Sequence, residues 1–394
     1  MTVLTRRLPR APRHLAPVWA TATVPLLCLL LIGPVTSSVA AGAVAPSGMS
    51  PSIVVRAGSS NVLYVLWEST TCMRQRCLRL ERSNNAGQSF FDVTVPSVTP
   101  VRYEKQSPIS QLYFANPSDG YALEYGSTGA KWTTTALFAT FDGGRVWRRD
   151  RFAPNAQILS MASSESYFYA TVDQCPSTTS KCSESRLIRS PVSVSKWTRL
   201  ALPKRLAKYW LGNLSIAASG RNVWLTTQDQ TSSPYSPFLA TSHNDGRTFN
   251  VAVQADLTSV NSCSLMASSP DVLWATCDQG MMQGDVPYSD NGGASWQESG
   301  QGLLGRFGFG VFDAVSAHLA YFINVFRQPT LFRVDSETSP ARTQVRMPNR
   351  GDWISLDFTN AQQGVALSQG NGGGLHNRLW STDDGGAAWS QVKL

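Results

Sequence analysis

Seven times along the chain, an apolar run rich in β-branched and aromatic residues is followed by a short polar turn and then a second such run. The segments are Ile53 to Trp67, Ile109 to Tyr125, Ile158 to Val172, Leu214 to Thr227, Ser264 to Thr276, Phe309 to Ile323 and Ile354 to Leu367. Runs of this length bounded by Gly, Pro, Asn, Asp and Ser are strand signals, and two of them across a tight turn predict a hairpin. Downstream of all but one hairpin lies an eight-residue signature, Ser/Thr-x-Asp/Asn-x-Gly-x-x-Trp/Phe. Its copies are SNNAGQSF (Ser83, Asn85, Gly87, Phe90), TFDGGRVW (Thr140, Asp142, Gly144, Trp147), SHNDGRTF (Ser242, Asn244, Gly246, Phe249), SDNGGASW (Ser289, Asn291, Gly293, Trp296) and TDDGGAAW (Thr382, Asp384, Gly386, Trp389). A worn copy, SPVSVSKW, runs from Ser190 to Trp197.

The residue types explain the signature. An Asp or Asn side-chain oxygen can accept from turn amides, Gly supplies a positive φ, and the Ser/Thr hydroxyl ties the base of the loop. The aromatic begins the next strand and packs inward. Asp142 and its equivalents therefore read as turn staples. Successive copies begin 57, 50, 52, 47 and 93 residues apart, the last being two pitches. One repeat, around Leu331 to Pro348, has thus lost its signature, and its turn is expected near Asp335 to Ala341. Seven repeats of about 50 residues, each long enough for four short strands, predict an all-β fold: a seven-bladed β-propeller of four-stranded antiparallel blades. The expected blades are 52–97, 109–150, 157–201, 212–253, 261–299, 308–347 and 354–394, within a domain spanning 44–394.

Residues 1–43 stand outside that pattern. Arg6, Arg7, Arg10 and Arg13 precede an uncharged run from Ala16 to Gly33 and a small-residue tail ending at Ala43. That is the layout of an export signal, with an uncleaved membrane anchor as the alternative. It places the rest of the chain outside the cytoplasm, secreted or anchored. The net charge of +8 falls to +4 once those four arginines are set aside, because the segment has no acidic residue. So mild a balance, without a dense Lys/Arg run, argues against nucleic-acid binding.

Six cysteines remain beyond Cys28, in local pairs: Cys72 with Cys77, Cys175 with Cys182, and Cys263 with Cys277. Local, even-numbered pairing in an exported chain predicts three disulfides. Cys263 and Cys277 can also face each other across one hairpin register. There is no CxxC, and the histidines after residue 43 are His243, His318 and His376, so no metal site and no cofactor are expected.

If the signatures join third and fourth strands, they share one face with the turns of the inner hairpins. The opposite face is then built from the links between blades and between second and third strands. Basic and aromatic residues gather in those segments: Arg74, Arg76, Arg102, Tyr103, Lys131, Trp132, Arg149, Lys204, Arg205, Lys208, Tyr209, Trp210, Arg306, Phe307, Arg327 and His376. Individually such side chains are solvated loop residues or buried strand starts; together they are a candidate binding face for an anionic or aromatic-rich partner. Catalytic residues are not assigned. No nucleophile elbow accompanies His376, the glycine run from Gly370 lacks the Lys-Ser/Thr of a phosphate loop, and nothing in the sequence brings Glu104 and Asp285 together.

The five signatures resemble the Asp-box, or bacterial neuraminidase repeat, of sialidases, sortilin-type domains and xyloglucanases. The inner hairpin QLYFANPSDGYALEYG is similar to the photosystem II assembly/stability-factor group. The resemblance covers residues 50–394 and specifies fold rather than activity. It implies a propeller that acts as a binding scaffold without catalysis; with the export signal, the expectation is an exported monomer that binds a protein or polysaccharide. The alternative it leaves open is a glycoside hydrolase, sialidase-like or another exo-glycosidase. The Arg-Ile-Pro element of sialidases is absent; the nearest segment, Val54-Val55-Arg56-Ala57, departs from it.

Overall fold

The computed structural model describes residues 49–394 except 70–76, 97–108, 129–130, 151–155, 175–183, 205, 207–213, 229–236, 254–261, 281–282, 299–310, 325–327, 336–341, 349–350, 371–376 and 393–394. The strands form seven separate antiparallel sheets, each ordered as the chain runs. They are blades of a seven-bladed β-propeller covering residues 49–93, 109–149, 156–200, 215–253, 262–298, 311–346 and 353–391. Blades 1 to 7 are named in that order. In blade 5 the third strand is split into Gln283–Asp285 and Pro287–Ser289, both paired with Leu273–Gly280. Blade 6 keeps its four strands although it lacks the signature; its closing turn lies outside the described residues.

Among the described residues no blade borrows a strand from another: Met49–Arg56 and Ser390–Gln391 each lie in the sheet of their own blade, and blades 7 and 1 meet through side-chain packing and hydrogen bonds. The core accordingly consists of seven apolar layers, one at each junction between neighbouring blades, including one between blades 7 and 1. The last of these joins Val54, Leu63, Val65 and Trp67 to Val365, Leu367 and Leu379. Second strands are continuous apolar runs because both of their faces are covered, and each large buried side chain contributes about 1.5–3 kcal/mol.

A recurring aromatic with a polar tip crosses these layers. Tyr64, Trp224, Trp274 and Tyr321, all on second strands, donate to turn carbonyls of the following blade: Pro117 at 2.9 Å, Gly292 at 2.8 Å, Ser316 at 3.2 Å and Ala361 at 2.9 Å. A buried ring needs such a partner for its N–H or O–H. Burial pushes the Tyr64 hydroxyl up to about 12, so it stays a donor at ordinary pH. Tyr64 also stacks on Phe114, and Tyr321 on Phe358, with ring centroids 3.7 Å apart in both pairs.

Candidate functional site

The signature turns share one face with the inner-hairpin turns. In blade 2 the Thr140 hydroxyl donates to Asp142 at 2.9 Å and accepts from the Gly144 amide at 2.9 Å, while Asp142 accepts from the Val146 amide at 2.9 Å. The same closed circuit recurs at Ser83, Asn85 and Gly87, at Ser242, Asn244 and Gly246, at Ser289, Asn291 and Gly293, and at Thr382, Asp384 and Gly386. The residue before each signature glycine has positive φ and donates its amide to the inner-hairpin turn of its own blade: Ala86 to Asn61, Gly143 to Ser118, Asp245 to Arg221, Gly292 to Asp271 and Gly385 to Gln362. In the worn copy, Val192 donates to Ser166 in the same way. The Ser/Thr hydroxyls, the Asp/Asn oxygens and the turn amides of the signatures are therefore occupied in holding the turns.

The Asp142 carboxyl lies below the usual range: burial pushes it up, but the Val146 amide and Thr140 hydroxyl outweigh that. At Asp384 the Ala388 amide is the leading cause of the same lowering. Of the signature aromatics, Phe90, Trp147, Phe249, Trp296 and Trp389 pack against the inter-blade layers.

The strands that end at residues 93, 200, 298 and 368, before the long connections, all end toward the opposite face. Lys204 is exposed there, in the link from blade 3 to blade 4. Lys131 and Trp132 begin a third strand at the end away from its signature turn. Arg149 is exposed on the outer strand opposite Phe138, two residues past the signature, so it lies on the rim of blade 2 nearer the signature face. Arg74, Arg76, Arg102, Tyr103, Arg205, Lys208, Tyr209, Trp210, Arg306, Phe307, Arg327 and His376 lie outside the described residues, as do Cys72, Cys175 and Cys182. Cys263 and Cys277 are disulfide-bonded and directly cross-strand, with Cα atoms 4.1 Å apart.

A charged cluster that sequence reasoning missed lies at the innermost strands. Each inner strand is a sheet edge, so its axis-facing amides lack a ladder partner. Side chains of the preceding blade supply one: Ser215 accepts from Leu265 N at 3.0 Å, Met266 Sδ from Ala314 N at 3.1 Å, Asp313 from Phe358 N at 2.5 Å and Asp357 from Arg56 N at 3.3 Å. At the last junction the Arg56 guanidinium also donates to the Phe358 carbonyl and pairs with Asp313 Oδ1 at 3.5 Å. The Ser355 hydroxyl donates to the other Asp357 oxygen at 3.0 Å. One cation thus faces two carboxylates across three blades. Burial pushes the Asp313 carboxyl up, against the pull of Arg56. Burial and the charge of Asp313 together bring Asp357 up to about 7. Chemically, the cluster can hold a proton near neutral pH.

No protein-family model matches the sequence, and no curated protein is detectably similar. Similarity is found among solved structures. The propeller domain of the Trilobed protease from Pyrococcus furiosus, described as having an open velcro topology, has a TM-score of 0.52 at 10% identity, covering 87% of this chain and 97% of that one. YCF48 bound to D1 peptide has a TM-score of 0.48 at 14% identity, covering 75% and 86%. YCF48 from Cyanidioschyzon merolae has 0.46 at 14% identity, covering 70% and 81%. At these identities the likeness concerns the propeller fold.

Proposed function

We propose that this chain is an exported, non-enzymatic propeller scaffold that binds a protein partner through the face opposite its Asp-box-like turns. The observation that carries this reading is the asymmetry of the two faces. Along one, short turns are locked by their own Ser/Thr, Asp/Asn and Gly residues and by amide bonds to the inner hairpins. Toward the other face point the strand ends that flank the inter-blade segments 94–108, 201–214 and 299–310, whose sequences are rich in Lys, Arg and aromatic residues. Variable loops on a rigid frame are where binding function concentrates. A polysaccharide partner would use the same cations and aromatics.

The rival glycoside-hydrolase reading has one observation in its favour, the convergence of Asp313, Asp357 and Arg56. Against it, both carboxylates cap backbone amides of the neighbouring blade, and Asp313 is only 3% exposed, so it faces protein rather than an open pocket. Immobilised protein should capture heparin or polyglutamate in a salt-dependent manner, because exposed charges are screened over about 10 Å at 0.1 M salt. Reversing Lys204, Arg205 and Lys208 to Glu should weaken that capture and flatten the salt dependence. Unchanged capture by the triple variant would remove the assignment of this face.

A further inference from the structure

The junction between blades 7 and 1 is built differently from its neighbours. Between blades 1 and 2 the second-strand Tyr64 stacks on the inner-strand Phe114, and between blades 6 and 7 Tyr321 stacks on Phe358. The hairpin registers Arg56 with Leu63, Phe114 with Gly120 and Phe358 with Gly364 show that Arg56 occupies the phenylalanine position. By the same registers Val365 occupies the tyrosine position, so this junction has neither the aromatic stack nor the hydroxyl tie. In their place Arg56 reaches across blade 7 to the Phe358 carbonyl and on to Asp313 in blade 6, and its own amide is capped by Asp357. Among the described residues, consecutive blades are joined by the chain from blade 1 through to blade 7, and no described strand passes from blade 7 to blade 1.

We infer that this junction is a proton-dependent clasp: Arg56 holds the ring closed, and holds it most tightly when Asp357 carries a proton. With both carboxylates ionised the cluster has an excess negative charge in a largely buried site, which is costly. One proton on Asp357 makes it neutral. The proton can sit on the oxygen facing Ser355, because that hydroxyl can change from donor to acceptor while the other oxygen continues to cap the Arg56 amide. The groups facing Asp357 are Ser355 on its own strand, Arg56 on blade 1 and Asp313 on blade 6; among the described residues no other charged group is recorded against it. The folded-state value is raised, so this contribution is complete below the ordinary value of 3.8 and is lost as pH rises through about 7. Another acid, the buried Glu81, lies further out on the side of blade 1 facing blade 7, where Arg79 pairs with it at 2.7 Å and with Asp92 at 2.5 Å.

Hydrogen–deuterium exchange of the purified protein, corrected for the intrinsic pH dependence, reads local opening of each blade. Protection of Met49–Arg56 and Trp353–Phe358, relative to Ser215–Ser219 of blade 4, should fall about ten- to twentyfold between pH 5.5 and pH 7 and by only about twofold more up to pH 8.5, as release of one proton from a group titrating near 7 requires. Asp357→Asn keeps a capping oxygen without the charge, and should abolish that fall. Glu81→Gln should preserve it. A protection ratio that does not change with pH in the unaltered protein overturns the clasp, and needs no variant to fold. A fall that persists in Asp357→Asn, or that disappears in Glu81→Gln, overturns the assignment to Asp357.

Discussion

Adjacent glycines in the blade 5 signature separate two demands that the turn makes. Gly292 has φ 69° and Gly293 has φ 89°, so alanine at either position meets left-handed backbone strain of about 1–2 kcal/mol. Their surroundings differ. Around Gly292 an added Cβ meets nothing within 4 Å, whereas at Gly293 it would lie 2.6 Å from a methyl of Leu239 in blade 4 and 3.3 Å from one of Leu273. That approach is tighter than carbon atoms tolerate, and overpacking of this kind costs about 1–3 kcal/mol further. Gly292→Ala should therefore destabilise by about 1–2 kcal/mol, and Gly293→Ala by about 2–5 kcal/mol. In thermal unfolding at about 2 °C per kcal/mol, the second variant should melt roughly 2–6 °C below the first. The same crowding recurs where Gly87, Gly246 and Gly386 meet Val365, Leu200 and Leu331 of the preceding blade. Equal melting temperatures, or a lower one for Gly292→Ala, would refute the idea that the signature glycine is an inter-blade contact as well as a turn residue.

Other expectations follow from the same geometry. Tyr321→Phe removes the hydroxyl that donates to Ala361 but leaves the stack on Phe358, and should cost about 1–2 kcal/mol in urea unfolding without changing the slope. Asp142→Ala removes an acceptor for the Val146 amide and should cost about 1–2 kcal/mol at pH 7. Because the Asp142 and Asp384 carboxyls lie below their ordinary value of 3.8, their contribution is present above that value and lost as pH falls through the lowered one. The gap between wild type and Asp142→Ala should therefore narrow only in acid, and a gap that instead narrows between pH 6 and 8 would contradict the staple role.

The seven blades were legible because turn chemistry restricts residue choice and recurs at a fixed pitch; blade 6 could be placed from pitch and inner hairpin alone. The Cys263–Cys277 pairing was legible because two residues of one hairpin share a register. The cross-blade ties were not. Tyr64, Trp224, Trp274 and Tyr321 read as ordinary strand aromatics, and only the fold shows that their polar tips reach the next blade. The amide-capping position is filled by Ser215, Met266, Asp313 and Asp357, a mixture with no motif. Arg56 and Asp357 are 301 residues apart, so no local pattern could join them. Trp353, which begins an inner strand near the loop face, is buried between blades 6 and 7 against Trp380 and Trp389.

The most direct test of the scaffold reading is a turnover measurement on purified protein lacking residues 1–43, with a panel of aryl glycosides that includes a sialoside. A scaffold whose inner-strand carboxylates cap backbone amides should release no aryl alcohol above a heat-killed control at any pH from 5 to 8. Steady hydrolysis that disappears in Asp357→Asn or Asp313→Asn would contradict it, and would make the inner-strand cluster an active site.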